Sequence, residues 1–271
     1  VRPTADVAVF GGSGFYSFVD PAGEVTVDTP FGAPSDPVTL GVVGDRRVAF
    51  IPRHGKDHRH MPSAVPARAN LWALRTLGVR TVIGPCAAGS LRSAVHPGDF
   101  VVLDQLVDRT WGRPDTFYDA GDRHHVSFAD PYCPVVARAA VDAARRVGVT
   151  VHDRGTVVVV QGPRFSTRAE SAWFRAQGWD VVNMTQYPEA YLARELGMHY
   201  AGIALITDYD TGVEHDPDVA AVTQDHVFAF FEANLHRMRS LLVELISQLP
   251  LEPAGCDCTS AVGPLAHYET S

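Results

Sequence analysis

In the segment "ITDYDTG", residues 206–212, two carboxyl groups, Asp208 and Asp210, stand two positions apart where the apolar run "MHYAGIALI" ends. On an extended strand such residues project to the same side, so both can address one edge of one ligand. An ionised carboxylate accepts hydrogen bonds, a protonated one donates, and burial beside a second acid raises a pKa far enough to permit the protonated form. Capping of the following loop and binding of a divalent cation by the DxD spacing are competing readings. The two residues alone leave all three open.

Other residues of similar promise follow apolar runs. Gly11-Gly12-Ser13-Gly14 lacks the GxGxxG spacing, because Ser17 stands where the last Gly would be, and no Walker Lys follows. It reads either as a tight turn or as a cradle in which backbone N–H groups and the Ser13 hydroxyl meet an oxyanion. In "IPRHGKDHRHMPS", Arg53 offers a planar fork suited to phosphate and His54 a donor beside it. His54, His58 and His60 fit no standard zinc spacing, so no metal is expected there, and His58 and His60 read as solvated loop residues. "GPCAAGSLR" (84–92) is a second small-residue turn, carrying Cys86 and Ala87. In "VVQGPRFSTRAES", Phe165 beside Ser166 can face a planar base or join the core. Asn183, Met184 and Thr185 supply a hydroxyl and an adaptable thioether at another strand end.

The elements that must position these residues are short β-branched runs alternating with helical spacing. Strands are expected at 6–10, 47–52, 80–85, 100–105, 155–161, 180–184 and 201–207, most of them apolar on both faces as in a covered sheet. Helices are expected at 63–78, 134–148, 167–178 and 188–197, each finishing on Gly, and a last one from about Asp218 to Leu249. The alternation predicts an α/β fold with a mixed, mainly parallel central sheet flanked by helices in three layers. Ligands of such sheets gather outside the carboxyl ends of strands, where the residues above fall.

At 271 residues, 46% of them hydrophobic and 20% charged, the chain can build a substantial core. Nothing divides residues 1–250, which are expected to form one domain, and 251–271 to form a mobile tail. A formal charge of −8 argues against general affinity for nucleic acid or an anionic membrane, because phosphate neutralisation needs clustered Lys and Arg. No apolar stretch approaches the roughly 20 residues of a spanning helix, and "VRPTADVAVFGG" has no signal-peptide architecture, so a cytoplasmic setting is expected. Four cysteines are too few for a disulfide framework and read as reduced; Cys256-Asp-Cys258, a CxC pair able to act in redox chemistry or bind metal, falls in the tail.

Together the segments "DTPFGAPSD", "RHGKDH", "RANLWAL", "DQLVDRT", "DPYCP", "QGPRFSTRAES" and "VVNMTQYPEAYLARELGMHYAGIALITDYD" resemble the methylthioadenosine phosphorylase branch of the trimeric purine nucleoside phosphorylases, colinearly over roughly residues 6–249. The resemblance implies phosphorolysis: inorganic phosphate attacks C1′ of a purine nucleoside, with no protein nucleophile, no cofactor and a homotrimeric assembly. By matching position it implies phosphate contacts from Ser13, Arg53, His54, Cys86, Ala87 and Thr185. It places Met184 at the ribose and Phe165 with Ser166 at the base. Asp208 would protonate or stabilise N7 of adenine, with Asp210 assisting at the amino edge. A 6-oxopurine would favour an amide there instead, so adenine is preferred.

Two departures bear on the phosphate and the first helix. Cys86, preceded by Pro85, replaces a common Thr and so removes one hydroxyl donor, and Pro66-Ala67 replaces Asn-Tyr. The 5′ substituent is matched by Gln224, Val227 and Phe228, with His125 reaching in from the neighbouring subunit. The two apolar residues suit a methylthio group, whereas Gln224 can satisfy a 5′-hydroxyl or simply point to solvent. Phosphorylases acting on 6-oxopurine or 5′-hydroxy nucleosides are therefore the nearest alternative. A noncatalytic nucleoside sensor is a more distant one, opposed by Arg53 and His54 and left open by Cys86. A nicotinamide-dependent oxidoreductase is disfavoured by the glycine spacing.

Overall fold

In the computed structural model, which describes residues 5–119, 124–212, 220–263 and 265, the apolar runs pair into one eleven-stranded sheet. The strands are β1 (Val7–Gly11), β2 (Gly23–Val25), β3 (Val38–Val43), β4 (Arg46–Pro52), β5 (Thr81–Ser90), β6 (Phe100–Val102), β7 (Gln105–Arg109), β8 (Val151–His152), β9 (Thr156–Val160), β10 (Val181–Asn183) and β11 (His199–Asp208). The helices are α1 (Ala67–Thr76), α2 (Pro134–Arg146), α3 (Arg168–Ala176), α4 (Gln186–Glu195) and α5 (Gln224–Gln248). Parallel pairings join β1 to β4 and β5, β5 to β11, and β9 to β7 and β10. The antiparallel ones include the β2–β3–β4 meander at one edge.

Alternate residues of the central strands feed two cores. Ala8 and Phe10 of β1, with Tyr200, Ala204 and Ile206 of β11, pack with Leu71 and Leu74 of α1 and Ala190 and Leu192 of α4. Val7 and Val9, with Ala201, Ile203 and Leu205, pack with Val136 and Ala140 of α2 and Phe231, Leu241 and Leu245 of α5. Both faces of the sheet are therefore covered, which explains strands without polar alternation.

Three expectations are corrected. The run at 100–105 divides into β6 and the start of β7, because the chain changes neighbours between them: β6 pairs with β11 and β8, β7 with β9. The last helix starts at Gln224, where the Thr223 hydroxyl accepts the His226 N–H at 3.3 Å; residues 218 and 219, expected to begin it, lie outside the described residues. The segment expected as a mobile tail is docked over its described part: Cys258 is buried, and Arg194 donates to Asp257 at 2.8 Å.

Candidate active site

A cleft forms where one edge of β5 is left without a strand. β1 pairs along that edge only as far as Val9↔Ile83, and β10, running the opposite way, pairs Val181↔Ser90 and Val182↔Gly89. The carboxyl ends of β1 and β10 thus converge on the open stretch between Ile83 and Gly89. Pro85 lies in it. Its carbonyl accepts from Arg53 Nη1 at 3.2 Å, so it faces the open edge, and the N–H that proline lacks would have met no strand there. This is why β5 continues to Ser90, although the sequence reading ends the strand at Pro85.

Ser13, Arg53, His54, Cys86, Ala87, Phe165, Ser166, Met184, Thr185, Asp208, Asp210, Gln224, Val227 and Phe228 all line this cleft. His125 does not; it is exposed elsewhere on the same chain.

At one end lie the small-residue turns. Phe15 N–H donates to the Gly12 carbonyl at 3.0 Å and Gly14 has φ +78°, so the glycine segment is a tight turn that also presents Ser13 to the cleft. Arg53 continues β4, its N–H donating to the Gly11 carbonyl at 2.8 Å. Its fork is not free. Nε and Nη2 pair bidentately with the Glu189 carboxylate, Nη2 at 2.8 Å from Oε2, and both side chains are almost wholly buried. The Tyr200 hydroxyl donates to the same carboxylate at 2.8 Å. Burial opposes the charge on Arg53, but Glu189 more than offsets it and holds the guanidinium above its usual range. Only Nη1, next to Gly12, is left toward the cleft.

His54 also departs from expectation. Burial, reinforced by the adjacent Arg53 charge, pushes it down to about 3, so the ring is neutral. Its Nδ1 lies 2.8 Å from the His60 carbonyl, which can only accept. The proton therefore sits on Nδ1, and Nε2 is an acceptor rather than the expected donor. His58, read as a solvated loop residue, instead lines the cleft, stacked on His54 at 4.6 Å and edge-on to Phe228 at 5.3 Å. Burial pushes the Cys86 thiol up to about 12, so it stays protonated. Asn183 ties this end together: its Oδ1 accepts the N–H groups of Thr185 and Gln186 at 2.6 and 2.8 Å, and its Nδ2 donates to Ala87.

The two acids occupy the other end, though not by strand alternation. β11 stops at Asp208, and Asp210 sits in a turn with φ +56°. Asp208 Oδ1 accepts the Asp210 N–H at 2.7 Å and Oδ2 accepts the Thr207 hydroxyl at 2.7 Å, so the turn rather than the pleat points both carboxyls into one cleft. Arg168 and Arg175 of α3 hold the loop by donating to the Thr211 and Gly212 carbonyls, each at 2.7 Å. Asp210 Oδ2 and Ser166 Oγ lie in the cleft with no hydrogen bond of normal geometry, and the Ser166 and Ser171 hydroxyls stand beside the Asp210 carboxyl. Burial, opposed by the Ser171 and Ser166 hydroxyls and helped by the Asp208 charge, raises Asp210 to about 6; burial also raises Asp208, against the hydrogen bonds from Thr207 and Asp210.

Val227 and Phe228 of α5, with Met61 and Pro62, add an apolar wall, Phe228 lying against His58, and exposed Gln224 also borders the cleft. Glu189 and Gly89 were missed from sequence. Nothing local to α4 marks Glu189 as the partner of a buried Arg, and Gly89 carries its signal only in the close approach of Asp208.

A three-layer α/β sheet with hydrogen-bonding groups at one end of a strand-edge cleft, and two buried acids at the other, defines a site suited to a small polar ligand. Residues 6–247 match the phosphorylase superfamily. Among curated relatives, S-methyl-5′-thioadenosine phosphorylase of Mycolicibacterium smegmatis is 53% identical, covering 97% of this chain and 98% of its own length. Purine nucleoside phosphorylase of Streptomyces coelicolor is 50% identical, covering 96% and 95%. Among solved structures, methylthioadenosine phosphorylase from Schistosoma mansoni in complex with adenine superposes with a TM-score of 0.85 at 39% identity, covering 90% of this chain and 91% of that one. The chain belongs to the phosphorylase superfamily.

Proposed function

We propose that the protein catalyses the phosphorolysis of 5′-methylthioadenosine to adenine and 5-methylthioribose 1-phosphate. The observation that carries the base assignment is the Asp210 carboxyl, buried in the cleft beside Ser166 and Phe165 and raised toward its neutral form by that burial. Buried polar groups of this kind call for a ligand that completes them, and a purine edge with an acceptor N7 and a donor amine does so. Relatives named for methylthioadenosine support the substrate.

In the reaction a phosphate oxygen forms a bond to C1′ while the C1′–N9 bond breaks and its electron pair passes into the purine. Ser13, Thr185 and the Nη1 side of Arg53 donate to phosphate, with Ala87 beside them and Cys86 a weak thiol donor. Neutral His54 accepts from the hydroxyl of hydrogen phosphate. The Arg53–Glu189 pair carries no net charge, so phosphate is held by directed hydrogen bonds more than by a bare cation. Asp210, protonated, gives its hydrogen to N7 as the bond breaks and is reprotonated from solvent. Asp208 accepts from the amino group, with Asp210 positioned by its backbone bond to that same carboxylate. This reverses the assignment made from sequence, because both oxygens of Asp208 are already engaged. Met184 contacts the ribose, and Val227 and Phe228 take the methylthio group.

The reading includes a homotrimer in which His125 serves the neighbouring subunit's cleft, with inorganic phosphate as cosubstrate and no cofactor. No described helix is long and apolar enough to cross a membrane, and four free cysteines suit the cytoplasm.

Release of free adenine from methylthioadenosine, with and without phosphate, beside adenosine and methylthioinosine, tests the proposal. Phosphate-dependent release fastest from methylthioadenosine is expected. Preference for methylthioinosine overturns the base assignment; preference for adenosine gives Gln224 the 5′-hydroxyl role. Tight binding without cleavage makes the protein a sensor.

A further inference from the structure

None of Cys133, His199, Cys256 and Cys258 lines the cleft, yet their ligand atoms all lie within 4.8 Å of one another. They come from three places in the chain. Cys133 precedes the first turn of α2, His199 opens β11, and the CxC pair belongs to the C-terminal segment. We propose that these four residues form a tetrahedral Cys3His site for zinc, which fastens the C-terminal segment to the body of the protein.

His199 Nδ1 lies 3.5 Å from Cys133 Sγ and 3.3 Å from Cys256 Sγ. A tetrahedral zinc centre with Zn–S of about 2.3 Å and Zn–N of about 2.05 Å has sulfur–nitrogen edges of about 3.6 Å and sulfur–sulfur edges of about 3.8 Å. The nitrogen is already at those separations from two of the three sulfurs, and the widest pair must close by only about 1 Å, which side-chain rotation supplies. Cys133, His199 and Cys258 are nearly inaccessible to water and Cys256 is half-buried, so the set makes a closed site, as structural zinc requires. All four cysteines of the chain are free, and three of them meet here.

The surroundings fit a thiolate-rich centre. Zinc displaces three thiol protons to solvent, and three thiolates with a neutral imidazole leave a single net negative charge. The Arg194 guanidinium answers it: buried, it donates through Nη1 to Cys258 Sγ at 3.7 Å and through Nη2 to Asp257 at 2.8 Å, so it holds the CxC segment by both residues. Cys133 sits at the N-terminus of the 13-residue α2, where the helix dipole favours a thiolate. Sulfur and imidazole ligands select zinc over magnesium or calcium. Past the site the chain makes a short 3-10 turn, Cys258–Ala261, and Gly263 N–H reaches the Tyr118 hydroxyl at 2.8 Å, so the clasp fixes a segment that lies over the body.

The test is metal analysis of protein purified under reducing, chelator-free conditions, followed by titration of the metal-stripped, reduced protein with zinc and cobalt(II). One zinc per chain is expected, with a cobalt derivative showing the d–d bands of tetrahedral coordination and thiolate-to-cobalt charge transfer. Cys256→Ser and Cys258→Ser should each weaken zinc binding by more than about tenfold and diminish the charge-transfer band. Reduced, folded wild-type protein that takes up no cobalt overturns the proposal, whatever the variants do. So does a disulfide between any two of these cysteines in protein isolated anaerobically from reducing cells. Adenine release is a separate readout, so failure of the zinc proposal leaves the catalytic reading standing, and the reverse.

Discussion

A carboxyl buried beside a second acid is unstable in its charged form and useful in its neutral one, and Asp210 shows both consequences. Its folded-state value, about 6, lies above its unfolded value of 3.8, so the folded chain binds this proton more tightly. The stability it confers is full below about pH 4 and is lost as pH rises through about 6. Asp210→Asn removes the buried charge and is expected to raise the thermal midpoint at pH 7.5, with a smaller gain at pH 5; calorimetry at the two values checks it, and an equal loss at both would refute it. The same substitution should lower kcat for methylthioadenosine about 10²- to 10³-fold. In the wild type, kcat/KM should fall as pH rises through about 6, and this limb should vanish in the variant. Asp208→Asn should instead raise KM for methylthioadenosine and shift relative turnover toward methylthioinosine, since an amide can donate to a 6-oxo group.

At the scale of elements, the cleft depends on how closely strands approach the acids. A Cβ on Gly89 would lie 2.9 Å from Asp208 Oδ1 and 3.2 Å from Asp210 Cβ, so Gly89→Ala must push the acid turn outward. It is expected to cost about 1–3 kcal/mol of stability and at least about tenfold in kcat/KM. Glu189→Ala leaves Arg53 as a buried unpaired charge, which should cost about 3–5 kcal/mol and raise KM for phosphate; equilibrium unfolding and phosphate titration measure the two. Both residues show where sequence ran short. The central strands, the first four helices and strand-end residues such as Ser13, Arg53, Thr185 and Asp208 were legible because apolar runs, Gly stops and strand ends are local signals, whereas Gln224, Val227 and Phe228 came only from the family resemblance and His58 was misread as a solvated loop residue. The edge strands β2 and β3 were not, since Gly23 and Gly41 interrupt them and a sheet edge demands little. The Arg53–Glu189 pair joins residues 136 apart in the chain, and His54 reversed its role through the His60 carbonyl; neither contact has a local signature.

At the scale of the whole molecule, the pocket of one chain supplies every group assigned to phosphate, base and ribose, but not His125, which is exposed away from its own cleft. In a cyclic trimer with heterologous contacts, each chain can lend this residue to one neighbour while receiving the same residue from the other. This arrangement makes a prediction that a self-contained site does not. His125→Ala should weaken methylthioadenosine use about tenfold by loosening the 5′ end, whereas Asp210→Asn disables the chemistry. If the two variants are unfolded together and refolded as mixed trimers, some clefts will combine an intact Asp210 from a His125→Ala chain with an intact His125 from an Asp210→Asn neighbour. With random mixing in equal amounts about a quarter of the sites are whole. Turnover at low substrate should then exceed the average of the two parents refolded separately. Activity equal to that average would mean that His125 serves its own chain or none, and sedimentation of the mixture as monomers would remove the shared site altogether.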